Sequence, residues 1–479
     1  MARGRVLIDT RLAGRVWFFT GAKYRPIRLL TVISFRTAGR LAALTVLAIV
    51  LFAPAARASS AHAAGELVVR YRAGTTSDER DQIRAAAGVE SAGTIDEETQ
   101  RVRVTASQTV GEAAASLRRD DRVVHALPNY VAKATAFQPN DPGRGTGWAN
   151  LQWNFIGPFG INLPTAWDNA IAAGAPGGEN VVVAVLDTGV AYRTSADRRY
   201  LRAPDLERSR FVQGRDFIRG NNLPYDRNGH GTFVAGLISQ STNNGIGVTG
   251  VAYRSKVMPV RVLDHEGKGD VATIARGIRF ASRRGARVIN MSFEFDSGLT
   301  ASQIPDVISA LRYANRKGVL LVAAAGNTED QRVAYPARAR NVLAVGATTE
   351  HGCLADYSNT GSGLDLVAPG GGADASVEAD VNCHPLEEPG RYVYQYTFRG
   401  TSPRKFGLPP GYEGTSMAVP HVSGTAALVI GAKVLGDRPS PAAITQRLIT
   451  TARPMGAPGY DSLYGWGLLD AGAATAPLQ

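Results

Sequence analysis

The chain has 479 residues, 44% apolar and 20% charged, a composition that carries a globular core and excludes wholesale disorder. Its 53 glycines and 25 prolines follow no three-residue period, which excludes a collagen-like fibre. The net charge of +12 suggests a polyanion binder until it is divided: residues 1–64 contribute +9, residues 65–139 contribute −1 and residues 140–479 contribute +4. The main body therefore has too little basic excess for nucleic acid to be its partner.

Residues 1–63 read as an export segment. Nine basic residues precede the 13 uncharged residues Leu41–Ala53, which lead to the small-residue sites Ala56-Arg57-Ala58 and Ala61-His62-Ala63. A spanning helix needs about 20 apolar residues, and Arg36 and Arg40 prevent the run from being extended. The expected destination is secreted or periplasmic, with no stable membrane association after removal of the segment.

Residues 64–133 form a small domain. Glu66–Arg72 alternates as a strand does, Ser77 caps a helix running to Ala87, and Arg101–Thr105 alternates again. Gly111–Arg119 follows as a second helix and Arg122–Ala126 as a last strand. This β-α-β-β-α-β order predicts a ferredoxin-like α+β unit. Residues 134–148, rich in Pro, Gly, Asn and Thr, are expected to be an exposed linker and processing region.

Residues 149–479 alternate apolar strands with helices. Val181–Leu186 is a continuous apolar run, as in a strand buried on both faces, and Arg287–Ser292, Val319–Ala325, Asn341–Gly346 and Leu364–Val367 look similar. Helical stretches such as Val271–Arg284 and Ile304–Lys317 lie between them. The expected fold is α/β, a doubly wound parallel sheet, whose ligands sit beyond the carboxyl ends of its strands. Asp187 and Asn327 fall at such ends. Residues 370–412 make a long Gly/Pro/Tyr-rich insertion, and its charge run Arg391–Lys405 is expected to face solvent. Cys353 and Cys383 are the only cysteines. Without the partners a zinc or CxxC site needs, they form one disulfide in an oxidising compartment or remain two buried thiols.

Three segments carry chemistry. Val185-Leu-Asp-Thr-Gly189 closes a buried strand with an acid. Asn228-Gly-His-Gly-Thr-Phe-Val-Ala-Gly236 opens an apolar helix with a histidine. Gly414-Thr-Ser-Met-Ala-Val-Pro-His-Val-Ser-Gly424 opens another with a serine. A serine hydroxyl needs a base, and the base needs a third group to fix its tautomer. Asp187, His230 and Ser416 supply these types. Their order differs from the Ser, acid, His order of α/β-hydrolases.

In motif, order and spacing, residues 140–475 resemble the subtilisin family of secreted serine endopeptidases, and Tyr464–Asp470 resembles that family's closing segment. Residues 66–133 resemble its inhibitory propeptide. The resemblance implies Asp187 as orienting acid, His230 as general base and Ser416 as nucleophile. It implies Asn327, after Val322-Ala-Ala-Ala-Gly326, as an oxyanion donor beside the Ser416 N–H, with Pro420 in the first helical turn where no N–H bond is lost. It places substrate along Gly267 and Gly269 and along Ser292, Phe293 and Glu294. Ala324, Ala325 and Gly326 would wall the first specificity pocket, with Ala334 at its base. Glu294 and Ala334 stand where the family usually has glycine, so at Glu294 either a hindered main-chain approach or a negative rim is expected, and at Ala334 a shallower pocket. Asn244, Ile246, Val248 and Asp205, with Asp141, match a structural Ca²⁺ loop built from hard oxygens. No organic cofactor is implied. The implied partners are polypeptide substrates and the chain's own propeptide. The alternatives are a catalytically silent peptide-binding homologue and an esterase.

Overall fold

The computed structural model describes residues 62–105, 108–130, 136–378 and 380–478. Most of the expected export segment, residues 1–61, lies outside the described residues. The chain divides into two compact units between residues 132 and 133.

The first unit contains β1 (His62–Tyr71), α1 (Ser77–Ala86), β2 (Val89–Thr94), β3 (Thr99–Val104), α2 (Val110–Leu117) and β4 (Val123–Tyr130). Its sheet has the order β2-β3-β1-β4 with every pair antiparallel, the ferredoxin-like arrangement. Leu67, Val69 and Tyr71 of β1 and Val102 of β3 bury against Ile83 and Leu117 of the helices. Both helices begin in capping boxes, Thr76 with Glu79 and Thr109 with Glu112. The first cap is therefore Thr76, one residue ahead of the expected Ser77. β1 starts at His62, so the Ala61-His62-Ala63 site overlaps a sheet strand.

The second unit begins with two short helices, α3 (Trp148–Leu151) and α4 (Leu163–Ala172). Its central elements are β5 (Val182–Asp187), β6 (Arg215–Asp216), α5 (His230–Ser239), β7 (Lys256–Arg261), α6 (Val271–Arg283), β8 (Val288–Met291), α7 (Pro305–Arg316), β9 (Leu320–Ala324), β10 (Leu343–Thr348) and β11 (Leu366–Pro369). A hairpin of β12 (Thr397–Phe398) and β13 (Phe406–Gly407) leads to α8 (Thr415–Gly431), α9 (Pro441–Thr450) and α10 (Ala471–Thr475). Seven parallel strands form one sheet in the order β11-β10-β9-β8-β5-β7-β6. Alternate residues serve opposite faces. Val183 and Val185 of β5 and Val322 of β9 join the core under α5 and α8, whereas Ala184, Leu186 and Leu321 join the core under α6 and α7. β7 carries Pro259, which argues against a strand in sequence. Its neighbours Val257 and Arg261 accept from Val212 and Phe217 on the side of the two-residue β6. The N–H missing at Pro259 therefore falls on the sheet's short-stranded edge.

From residue 136 the expected linker is packed against this unit. Phe137 stacks on Tyr253 and meets Trp167 edge-on, with centroids 5.4 and 5.6 Å apart, and Asp141 is buried. Polar composition hid one aromatic and one carboxylate that have dedicated partners. In the insertion, Thr397 Oγ1 donates to the Gly229 carbonyl (2.6 Å), and Tyr412 stacks on Phe233 of α5 at 4.2 Å. Arg391 pairs with Glu350, while Arg399 and Lys405 are exposed. Cys353 and Cys383 form a disulfide.

Candidate active site

Asp187 ends β5 with its side chain fully buried, and His230 opens α5. Asp187 Oδ1 and Oδ2 lie 2.8 and 3.0 Å from His230 Nδ1. A carboxylate can only accept, so Nδ1 carries the proton and Nε2 is left as the basic nitrogen. Gly231 cannot carry a Cβ, which would run into the Gly189 carbonyl and Asp187. Burial pulls the His230 pKa down, but the charges of Asp187 and Asp226 outweigh it and hold the pKa above the ordinary imidazole value.

Asp226 escaped sequence reasoning. Its buried carboxylate accepts from the Gly229 and Thr232 N–H groups (3.0 Å each) and from Thr188 Oγ1 (2.9 Å), while Thr188 Oγ1 accepts from the Gly231 N–H (3.0 Å). It thereby clamps the start of α5 to the residue after Asp187. The signal was Asp226 followed by Asn228-Gly229 just ahead of an apolar helix, an N-terminal cap pattern.

Ser416 lies in the first turn of α8, a helix buried almost all round. Its Oγ donates to the Ser292 carbonyl (3.0 Å), while Ser292 Oγ donates to the Ser416 carbonyl (2.9 Å). Among the described residues no hydrogen bond joins Ser416 Oγ to His230. Pro420 corrects the sequence expectation. It stands at the sixth helical position, beyond the first turn, and its missing N–H is the one that would have reached the Ser416 carbonyl. Ser292 Oγ occupies that acceptor, joining the end of β8 to the serine.

Asn327 Oδ1 accepts from the Thr415 N–H (2.8 Å) and Thr415 Oγ1 (2.9 Å). With its oxygen taken, the amide leaves Nδ2–H as the group available to an anion. Gly326, at φ +123°, has no room for a Cβ between Asn359 and Glu294.

Residues 178–467 match the subtilase family (Peptidase S8), more than half of the chain. The chain belongs to the subtilase family. Residues 50–129 match the fervidolysin N-terminal prodomain family. The chain is 32% identical to a thermophilic serine proteinase of Bacillus sp. (strain AK1), over 77% of this chain and 78% of that protein. It is 37% identical to subtilisin BL of Lederbergia lenta, over 66% of this chain and 98% of that protein. Among solved structures, a protease from Pseudoalteromonas arctica PAMC 21717 is similar with a TM-score of 0.56 and 32% identity, covering 71% of this chain and 99% of that one. The protein is thus a serine endopeptidase of the subtilisin type, with a subtilase prodomain ahead of it.

In this subtilase the segment expected to bind substrate at Gly267–Gly269 is exposed, with Gly267 at φ +83°. Ser292 and Phe293 are buried, and Glu294 is half-buried. The methyls of Ala324 and Ala325 enter the two cores. They do not line the cavity that opens here, because successive strand residues point to opposite, covered faces of the sheet. That cavity, of about 970 Å³, is lined by Glu294, Ala334, Asn359 and residues 295–297 and 328–331. Ala334 is among its lining residues, as expected for the base of the pocket.

The turn at residues 243–248, expected to bind Ca²⁺, donates hydrogen bonds to both Asp141 and Asp205. Asp141 accepts from the Asn243 and Asn244 N–H groups (2.8 and 3.2 Å). Asp205 accepts from Asn244 Nδ2 (2.8 Å) and the Val248 N–H (3.3 Å). Burial pushes the Asp205 pKa up to about 8, and Asp141 adds to the rise. Two buried carboxylates with no ion pair among the described residues form a hard-oxygen donor set that fits Ca²⁺. Asn244 Oδ1 instead accepts from the Ile246 N–H (2.9 Å), so its amide must turn over to face a cation. Ile246 is exposed and Val248 buried, which leaves their carbonyls as the relevant oxygens.

Proposed function

We propose that this subtilase is exported as a self-processing precursor and hydrolyses peptide bonds through Asp187, His230 and Ser416. The Asp187–His230 contact at 2.8 Å carries this reading, because it leaves Nε2 free to act as a base. Ser416 Oγ leaves the Ser292 carbonyl, passes its proton to His230 Nε2 and attacks the scissile carbonyl carbon. The resulting oxyanion accepts from Asn327 Nδ2–H and from the Ser416 N–H in the first turn of α8, where the helix dipole favours negative charge. His230 then hands the proton to the leaving amine. An acyl-enzyme remains on Ser416 until water, deprotonated by the same imidazole, releases it. Asp187 orients the imidazole and offsets the imidazolium.

The ferredoxin-like unit acts as folding aid and inhibitor until a cut near residues 130–140 frees it. Removal of the export segment falls at Ala56-Arg57-Ala58, since the alternative site overlaps β1. Ca²⁺ would be held by Asp141, Asp205 and Asn244 and by the carbonyls of Ile246 and Val248. Bound there, it neutralises the paired carboxylates and ties the segment around residue 141 to the rest of the unit. The deciding experiment compares wild type with Ser416→Ala for precursor conversion, casein cleavage and labelling by a fluorophosphonate. Wild type alone should convert, cleave and be labelled, at Ser416; equal precursor conversion in both would overturn self-processing.

A further inference from the structure

The cavity of about 970 Å³ opens within two residues of the reacting groups on both sides. Glu294 follows Ser292, which holds the Ser416 hydroxyl, and Thr328 follows Asn327. The side chain of the residue whose carbonyl is attacked has this cavity as its neighbour. Four carboxylates line it, Glu294, Asp296, Glu329 and Asp330, and no lysine or arginine does. None of the four enters an ion pair among the described residues. Asp330 accepts from Ser297 Oγ (2.5 Å) and Asp296 from the Gly298 N–H (2.8 Å), both neutral donors. Arg338, nearby in the chain, lies over Tyr335 and donates to the Ser297 and Leu299 carbonyls.

Glu294 sets the character of the site. Its Oε2 is shut off from solvent yet has no hydrogen-bond partner. Burial raises its pKa, and only the Asn327 backbone N–H pulls the other way. A shielded carboxylate oxygen without a partner is costly unless a cation or donor arrives. Among the described residues no group of three or more His, Cys, Asp or Glu side chains is arranged to hold a metal ion. Four acids and no basic side chain in the lining suit an organic cation with several donors.

We infer that this cavity selects a cationic side chain, arginine or lysine, in the residue preceding the scissile bond, with Glu294 as the selecting acid. The inference rests on the serine-endopeptidase chemistry proposed above. A guanidinium supplies several N–H donors in a planar fork, which suits pairing with the Glu294 carboxylate in a cavity lined by further acids. A glycine at this position would leave a neutral slot, so Glu294 sets specificity within the same reaction.

The test uses the mature enzyme and matched peptide amides that differ only in the residue before the scissile bond: Arg, Lys, Phe, Leu and Glu. The arginine-to-phenylalanine ratio of kcat/KM is expected to be about 30 or more, the low end for a desolvated charge pair. In Glu294→Gln it should fall by a similar factor, read within the one variant so that overall activity cancels. A wild-type ratio below one, or a high ratio unchanged in Glu294→Gln, overturns the inference and leaves the protease reading intact. No cleavage of any peptide, with no fluorophosphonate labelling, overturns both. Should Glu294→Gln fail to fold, wild-type inhibition by benzamidine is compared with neutral benzyl alcohol. Benzamidine should inhibit more strongly, and equal or weaker inhibition overturns the inference.

Discussion

At His230 the surrounding charges act on two properties in opposite senses. The proposed reaction needs the neutral imidazole, and Asp187 and Asp226 hold its pKa above the ordinary value against the pull of burial. The acid limb of kcat/KM should therefore lie above about pH 6.5, the unperturbed imidazole value. For stability the sign is reversed. A raised folded-state pKa contributes stability that is present below the unfolded value and is lost as pH rises through the folded one. Asp187→Asn removes the larger attractive charge, so the limb should move to lower pH while kcat falls about 10⁴-fold from loss of the correct tautomer. A pH–rate profile of both proteins checks this, and an unmoved limb would detach Asp187 from the imidazole. Asn327→Ala removes a donor used chiefly in the transition state, so kcat should fall about 10²–10³-fold with KM little changed. Steady-state kinetics on one peptide decide it. Asp187, His230, Ser416 and Asn327 stood out in local strings because the proposed chemistry calls for those side chains among glycines. Asp226 did not, since its importance lies in five donors that converge on it only after folding.

Between elements, the decisive joint is that of β8 with α8. Pro420 removes one rung of the helix, and the Ser292 hydroxyl takes the carbonyl left over. Ser292 Oγ also accepts from Asn290 Nδ2 (2.9 Å), and Asn290 Oδ1 from Ser423 Oγ (2.9 Å). Ser292→Ala would leave two buried polar groups short of partners, and a loss of about 1–3 kcal/mol is expected from urea unfolding midpoints. An unchanged midpoint would mean that the joint is not held there. Apolar runs announced β5, β8, β9, β10 and β11, whose two faces are both covered. They could not announce β7, where a proline sits on the edge-facing register, nor β2, whose Val89-Glu-Ser-Ala-Gly-Thr94 buries only its first residue.

For the whole molecule, the turn at residues 243–248 ties distant segments together. Asp141, more than 60 residues before Asp205, meets the same turn at residues 243–248. If Ca²⁺ binds there, EDTA should lower the melting temperature of the mature enzyme and Ca²⁺ should restore it by RT ln(1 + [Ca²⁺]/Kd). Calorimetry with and without chelator measures this, and an unmoved transition would remove the site.

The subtilase and prodomain families and the parallel α/β class were legible in the chain, because motifs and apolar runs are properties of local composition or period. Folding was needed to bring Asp141 out of an apparent linker, to turn Ala324 and Ala325 into the cores, and to gather four acids around one cavity. Those outcomes depend on which face of a strand is covered and which loops meet. Long-range packing sets both, and no window of neighbouring residues contains that information.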